Sequence, residues 1–471
     1  MVGIVSYGAY VPYYRLKKDT VAQAFGKRAD KGTRAVAYCD EDSFTMAAAA
    51  AMDAAVGQDL SDLKAVYFAS ASSPYREKQC AAEIVAVLGA REDLRTCDVG
   101  NSLRAGSAAM LSACDLLERS GGSALVTFSD CRLGAADGIF ETDLGDGAAA
   151  FRLGTENIFA RLDGSHSLSR NAIDQWRADD DLFLRNWDVR YAGSELYSPL
   201  VKAALKGFFA ESGSQPSDFS KVVLYGHDDK TRFSVAAKLG FAPAQIVESM
   251  YPEIGNTGNA AAGLMLASAL DSARAGDRIL VITYGEGCDV LAFTVTDRAG
   301  SCRSRLQKCL ARKNEDLSYG KYLKWKEMVI CEPQKRPAQE RSSLPDYYRN
   351  YQKNHHLQGC RCKVCGMAVF PPQRVCVHCH SIDTMEPYNF LDKKAHIRTF
   401  TIDGLSLSLD SPNFLVVVEF EGGGKMMSYL VDCKKEDIRV SMLVRPSLRK
   451  MFKANGVSTY FWKVVPADEE E

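Results

Sequence analysis

Four cysteines carry the plainest chemistry in the sequence: Cys362-x2-Cys365 and Cys376-x2-Cys379, two pairs separated by ten residues. Each pair can form a knuckle, and so short a loop lets two knuckles close on one ion with four sulfurs in a tetrahedron. Zinc is the metal this set predicts. Four thiolates leave no open coordination position, so its role is expected to be structural. Cys360, His378 and His380 lie close enough to compete as ligands but read as spectators. The other eleven of the fifteen cysteines are scattered, many in apolar runs, and read as reduced core residues rather than a disulfide framework.

The elements that must position reactive groups fall into two kinds. Over residues 1–300 apolar strands alternate with Ala-rich or amphipathic helices, a β-α-β rhythm with buried sheets. Within it one pattern occurs twice. Val66 to Asp130 runs VYFAS, AAEIVAVLGA, GNSLRAGSAAMLSACDLL, SALVTFSD; Val222 to Gly287 runs VVLYGH, VAAKLGF, GNTGNAAAGLMLASAL, DRILVITYGEG. Strand, helix, Gly-Asn turn into a small-residue helix, strand: an internal duplication is expected, with halves at 1–155 and 156–330. Helices so rich in Ala and Gly let neighbours approach closely on all sides, which places them between two sheets. A Pro- and charge-rich linker follows at 331–355, then the cysteine knot at 356–385. Short alternating runs over 386–466, HIRTFTID, FLVVVEFEG, KMMSYLVD and MLVRPSLRKMF, predict a small antiparallel barrel. The terminal ADEEE reads as a solvated tail.

With 471 residues, 46% apolar and 25% charged, the chain is too long for one core, and two or three domains are expected. A net charge of −1 offers no broad attraction for nucleic acid or an anionic membrane. No run approaches the roughly 20 apolar residues of a membrane span, and GIVSYGAYVP at the start lacks a signal-peptide pattern. A cytoplasmic location is therefore expected.

Several stretches coincide with one family. GIVSYGAYVPYYRL, DEDSFTMAAAAAMDAA, SSPYREKQCAAEIVAVLGA, RAGSAAM, WRADDDLF followed by RY, PEIGNTGNAAAGL, AGDRILVITYGEG and SYGKYLKWKE occur in the order found in archaeal-type hydroxymethylglutaryl-CoA synthases. Residues 1–330 resemble that branch of the thiolase superfamily. The resemblance implies a duplicated thiolase fold of α-β-α-β-α layers that binds acyl-CoA, its substrate a coenzyme A thioester, and forms a homodimer. CRCKVCGMAVFPPQRVCVHCHS and the barrel after it resemble the rubredoxin-like zinc ribbon and OB-fold family associated with acyl-CoA enzymes. OB-folds also bind nucleic acids, but mixed charge in FLVVVEFEGGG and KKED favours the acyl-CoA reading, with the barrel shaping the acyl-CoA tunnel. Similar pairings occur in steroid side-chain aldolases, whose thiolase-like subunit lacks the usual cysteine.

The family's catalysis uses an acyl-accepting cysteine at the N-terminus of a buried helix, a glutamate and a histidine. Aligned on RAGSAAM, the cysteine position falls on Leu103, and the glutamate position falls on Ala71. A leucine forms no thioester, and Ser102 beside it reads as an unactivated hydroxyl. The resemblance assigns His227 and Asn256 to the thioester oxygen, the role oxyanion donors play in enolate chemistry. Tyr284, Glu286 and Cys288 in the loop TYGEGCD are candidates for proton transfer; a loop charge and a buried thiol are the structural alternative. The expectation is aldol or retro-aldol chemistry next to an acyl-CoA thioester without an acyl-enzyme. One rival is acyl transfer through a displaced thiol such as Cys288; the other is a scaffold for a separate, cysteine-bearing thiolase subunit.

Overall fold

The computed structural model describes residues 1–28, 31–332, 343–405 and 408–468. These residues form two compact units: Met1–Ala37, Asp42–Val85 and Ala90–Tyr319 make the first, and Tyr38–Glu41, Ala86–Gly89 and Gly320–Glu471 belong to the second. No described helix is long and apolar enough to cross a membrane.

The first unit is built on a nine-stranded sheet: β1 (Gly3–Tyr10), β2 (Leu63–Ala69), β3 (Arg95–Val99), β4 (Ser123–Asp130), β5 (Gly147–Gly154), β6 (Ala160–Ser169), β7 (Lys221–Leu224), β8 (Arg278–Gly285) and β9 (Gly287–Val295). Their order is β7-β8-β9-β6-β1-β5-β4-β2-β3. The duplication is visible in the pairing. From β1 outward the partners run antiparallel, antiparallel, parallel through β5, β4 and β2; from β6 outward they run antiparallel, antiparallel, parallel through β9, β8 and β7. A further parallel strand, β3, extends the first half. Among the described residues, a parallel bridge from Val222 to Ile246 stands at the matching place in the second. The two halves are not separate domains, because β1 pairs with β6 as well as β5 and makes one continuous sheet.

Four helices set the layers: α1 (Ser43–Ala55), α2 (Ala105–Ser120), α3 (Ser198–Ser212) and α4 (Asn259–Asp271). α4 touches β4 and β5 of one half and β7 and β8 of the other, and eleven of its thirteen residues are buried. It is therefore central, with α2 beside it, while α1 packs on β1 and β5 and α3 on β6 and β9. Small residues make this possible. A Cβ added to Gly106 of α2 would fall 2.0 Å from the Phe128 ring, and one on Gly263 of α4 would fall 2.8 Å from Ala149 Cβ. Gly106→Ala is expected to destabilise the chain by about 1–3 kcal/mol through overpacking, read as a lowered midpoint in urea denaturation.

In the second unit, strands Gln358–Cys362, Ala368–Val369 and Met385–Asn389 form the ribbon sheet, so the ribbon runs four residues past the predicted boundary at 385. The barrel is closed, from β10 (Ala395–Asp403), β11 (Asn413–Phe420), β12 (Lys425–Leu430), β13 (Leu443–Ala454) and β14 (Val457–Pro466), in the order β10-β11-β12-β14-β13. β14 was the strand not singled out in the sequence. Its signal is Asn455-Gly456, both with positive φ (50° and 81°), the turn chemistry of a two-residue hairpin. The 331–355 stretch is not simply a linker: its described part holds helices Leu344–Arg349 and Tyr351–His356. Tyr347, Tyr351 and His355 stack at helical spacing, and the Trp462 indole donates to the Asn354 carbonyl. Residues 333–342 of that stretch and 469–471 of the acidic tail lie outside the described residues.

Candidate active site

Central helix tips, strand ends and two loops supply the candidate residues of the first unit. Leu103 stands in the turn before α2, half-buried and packed against the core, so the tip of this helix presents hydrocarbon. Ala71 follows β2, and its backbone N–H donates to Asp130 Oδ1 at 2.7 Å. Asp130, fully buried at the end of β4, also accepts from the Ser70 and Ser72 hydroxyls and from the backbone and side-chain amides of Asn259. Asn259 in turn donates to the Ser102 carbonyl and accepts from the Gly106 N–H. The two central helix tips are thereby tied together.

Next to this knot lies a group centred on Asp174, a residue that sequence reasoning missed. Its Oδ2 accepts from His227 Nε2 at 2.7 Å and from the Tyr284 hydroxyl at 2.9 Å. Burial opposes ionisation of Asp174, but the hydrogen bond of His227, the charge that ring carries when protonated, and the Tyr284 hydroxyl outweigh it and hold the carboxyl below its ordinary range. Burial, followed by the charge and hydrogen bond of Asp174, pushes the Tyr284 phenol well up, so it stays protonated. The histidine tautomer follows from its other neighbour. Arg132 Nη1 donates to Gln175 Oε1 at 3.3 Å, which turns the Gln175 amide nitrogen toward His227 Nδ1 at 3.2 Å. Nδ1 therefore carries the lone pair and Nε2 the proton.

Two sequence expectations change here. His227 spends its N–H on Asp174, so it is not free to donate to a substrate oxygen; its lone pair is what it presents. Cys288 is fully buried within β9, with its thiol pushed up by burial and by the charge of Asp289. A sealed, protonated thiol is no displaced nucleophile. Asn256 is buried near His227; its amide nitrogen has three acceptors, the Tyr225 hydroxyl and the carbonyls of Gly226 and His227, all at 3.4 Å. Those bonds are long, so a better acceptor can redirect the amide.

Glu286 takes the Ser102 hydroxyl at 2.6 Å, which pairs a serine read as unactivated with a carboxylate. Arg104 Nη1 holds Asp289 at 2.7 Å, and Asp289 also accepts from Ser107. An open cleft of about 610 Å³ lies over this tip, lined among others by Val99, Ser102, Arg104, Leu111 and Glu286, with no thiol in its lining. The missed residue had a faint signal: Asp174 stands two positions before the Trp176 that opens WRADDD.

In the second unit, Cys362, Cys365, Cys376 and Cys379 present sulfurs that all lie within 4.8 Å of one another. Cys362 and Cys379 are 3.6 Å apart, and Cys365 and Cys376 are 3.5 Å apart. A tetrahedral four-thiolate zinc site has sulfur edges of about 3.8 Å, so the cluster fits one metal ion. Ser381 and Thr384 hydroxyls stand against Cys362, as outer partners of a metal ligand do. Cys360 is occupied elsewhere, accepting from the Gln373 N–H.

A duplicated α/β unit whose two central helix tips meet beside a polar cluster defines the thiolase-fold class of enzymes. Comparison with known proteins agrees. Residues 209–296 match the C-terminal domain of 3-oxoacyl-[acyl-carrier-protein] synthase III, and residues 388–449 match the ChsH2 C-terminal OB-fold domain. Hydroxymethylglutaryl-CoA synthase of Methanopyrus kandleri is 33% identical over 345 residues, 70% of this chain and 98% of that protein. The enzyme of Methanocaldococcus jannaschii is 32% identical over 349 residues, 70% of this chain and 99% of its own. In fold, the chain is similar to a hydroxymethylglutaryl-CoA synthase solved with CoA, at a TM-score of 0.62 and 20% identity, covering 69% of this chain and 89% of that one. It is also similar to 3-oxoacyl-(acyl carrier protein) synthase III of Pseudomonas aeruginosa, at 0.57 and 19%, covering 63% and 98%. The chain belongs to the hydroxymethylglutaryl-CoA synthase family, enzymes that form a carbon–carbon bond next to an acyl-CoA thioester, and carries a C-terminal OB-fold domain.

Proposed function

We propose that this chain makes or breaks a carbon–carbon bond next to an acyl-CoA thioester by aldol or retro-aldol chemistry, without a covalent acyl-enzyme. The observation that carries the reading is the Tyr284–Asp174–His227 group standing near a helix tip whose reactive position is Leu103. Asp174 holds His227 by its protonated nitrogen, so that Nδ1 serves as base and the imidazolium is stabilised as it forms, the logic of carboxylate-oriented histidines. In the aldol direction His227 removes the α-proton after substrate displaces the Gln175 amide, and Asn256 donates to the enolate oxygen. The enolate attacks a carbonyl carbon, and the new alkoxide takes the Tyr284 phenol proton as that hydroxyl turns from Asp174; the His227 Nε2 proton then passes through Asp174 to the phenolate, which restores both residues. Retro-aldol cleavage reverses these transfers.

The Ser102–Glu286 pair favours a second reading, acyl transfer to a carboxylate-assisted serine. Quenching the enzyme with radiolabelled acetyl-CoA and digesting it separates the two. No stable label is expected on any peptide; label on the peptide holding Ser102 would replace the first reading with the second.

The four-cysteine cluster holds, on this reading, a structural zinc ion bound by Cys362, Cys365, Cys376 and Cys379, whose only part is to stabilise the ribbon. β3 is an edge strand of the sheet, half-exposed along its length, and supports a homodimer formed by pairing β3 with its copy. Light scattering is expected to give twice the chain's 51.7 kDa, and Thr96→Pro in β3 to give monomer.

A further inference from the structure

Arg132 is buried, with 5% of its side chain exposed, and its Nε and Nη2 have no hydrogen-bond partner among the described residues. Its third nitrogen, Nη1, is spent on Gln175. Asp130 is nearby, but its Oδ2 stands 4.0 Å from Nε, beyond hydrogen-bonding distance, and both of its oxygens already accept from Ser70, Ala71, Ser72 and Asn259. The guanidinium keeps its place because residue 258 is glycine: a Cβ there would lie 2.8 Å from Nε and 3.0 Å from Nη2.

A buried donor without an acceptor costs stability and calls for an explanation. The two open donors are not an arbitrary pair. Nε–H and the Nη2–H beside it point the same way and form the fork that matches the two oxygens of a carboxylate. Through Gln175 this fork is one residue removed from His227. We infer that Arg132 binds a carboxylate carried by the acyl group of the substrate, so that the enzyme selects carboxylated acyl-CoA thioesters over neutral ones. The inference rests on the acyl-CoA reading above. Arg132 is a specificity residue: it holds the end of the substrate that does not react and places the thioester α-carbon relative to His227.

Calorimetric titration of the full chain with free CoA, butyryl-CoA, succinyl-CoA and succinamoyl-CoA, the neutral amide analogue of succinyl-CoA, tests this. Wild type is expected to bind succinyl-CoA about tenfold or more tightly than either neutral thioester. Arg132→Gln is expected to bring the ratio of succinyl-CoA to butyryl-CoA affinity to about one, and Arg132→Lys, which keeps the charge but loses the fork, to retain only part of the preference. If none of the four compounds binds wild type, the acyl-CoA reading fails and this inference with it. If butyryl-CoA binds and succinyl-CoA is no tighter, the inference alone is overturned. Equal loss of all thioesters in Arg132→Gln would likewise overturn it, leaving Arg132 a structural neighbour of Asp130. Should the glutamine variant not fold, the wild-type contrast between the acid and its amide still decides.

Discussion

Asp174→Asn is expected to lower turnover by about 10²–10⁴-fold while leaving acyl-CoA affinity within a few-fold of wild type. The substitution keeps the shape and one accepting oxygen but replaces the carboxylate that faces the His227 Nε2 and the Tyr284 hydroxyl by a neutral amide. His227 then loses the negative charge that stabilises its imidazolium, and an amide turned to present its NH2 also reverses the tautomer. Deuterium uptake at the α-carbon of a bound acyl-CoA isolates this step from bond formation. Tyr284→Phe should leave that exchange nearly intact and slow only the complete reaction, since the phenol serves the alkoxide. Exchange within fivefold of wild type in Asp174→Asn would remove His227 from the role of base.

The same residue sets a pH dependence of stability. Asp174 has its native pKa lowered, so its contribution is fully present above the unfolded value of about 3.9. It fades as pH falls through the lower native value, because protonation then breaks the pair with His227. Urea midpoints between pH 6 and pH 3 should therefore fall more steeply for wild type than for Asp174→Asn. Parallel curves would mean that the carboxyl gains nothing from its two partners.

Loss of the metal from the ribbon is expected to be the largest single effect on the second unit. Structural zinc sites contribute apparent binding free energies of about 10–16 kcal/mol in small peptides, as much as a whole domain's net stability of about 5–15 kcal/mol. Cys376 is fully buried, and Cys376→Ser removes one of four ligands. Elemental analysis should find one zinc per chain in the wild type and less in the variant. Proteolysis should cut the variant within the ribbon strands Gln358–Cys362 and Met385–Asn389 while the wild type resists. A metal-free wild type with an equally resistant ribbon would show that the four thiols hold the fold without an ion.

Much of the architecture was legible because its signals are local. The repeated strand, Gly-Asn turn and small-residue helix foretold two halves and central helices, and glycines 106 and 263 show the physical reason, with no room for a Cβ. The continuity of the sheet was not legible, since β1 pairs with both β5 and β6 and nothing in its own residues names its partners. Likewise the predicted linker hid two helices whose anchor, Trp462, lies 108 residues from its acceptor Asn354.

The candidate site divides along the same line. Side-chain identity at one position needs no fold to be read: Leu103 cannot carry an acyl group, and two Cys-x2-Cys pairs ten residues apart can close on one ion. Which donors and acceptors remain open was decided by tertiary structure alone. Asp174 meets His227 across 53 residues and Tyr284 across 110, and those bonds turn His227 from donor to lone-pair bearer. Burial in β9 silences Cys288, and the filling of both Asp130 oxygens is what leaves Arg132 with a vacant fork. A hydrogen bond is spent only once, and the order in which partners claim it depends on distances that chain position does not encode.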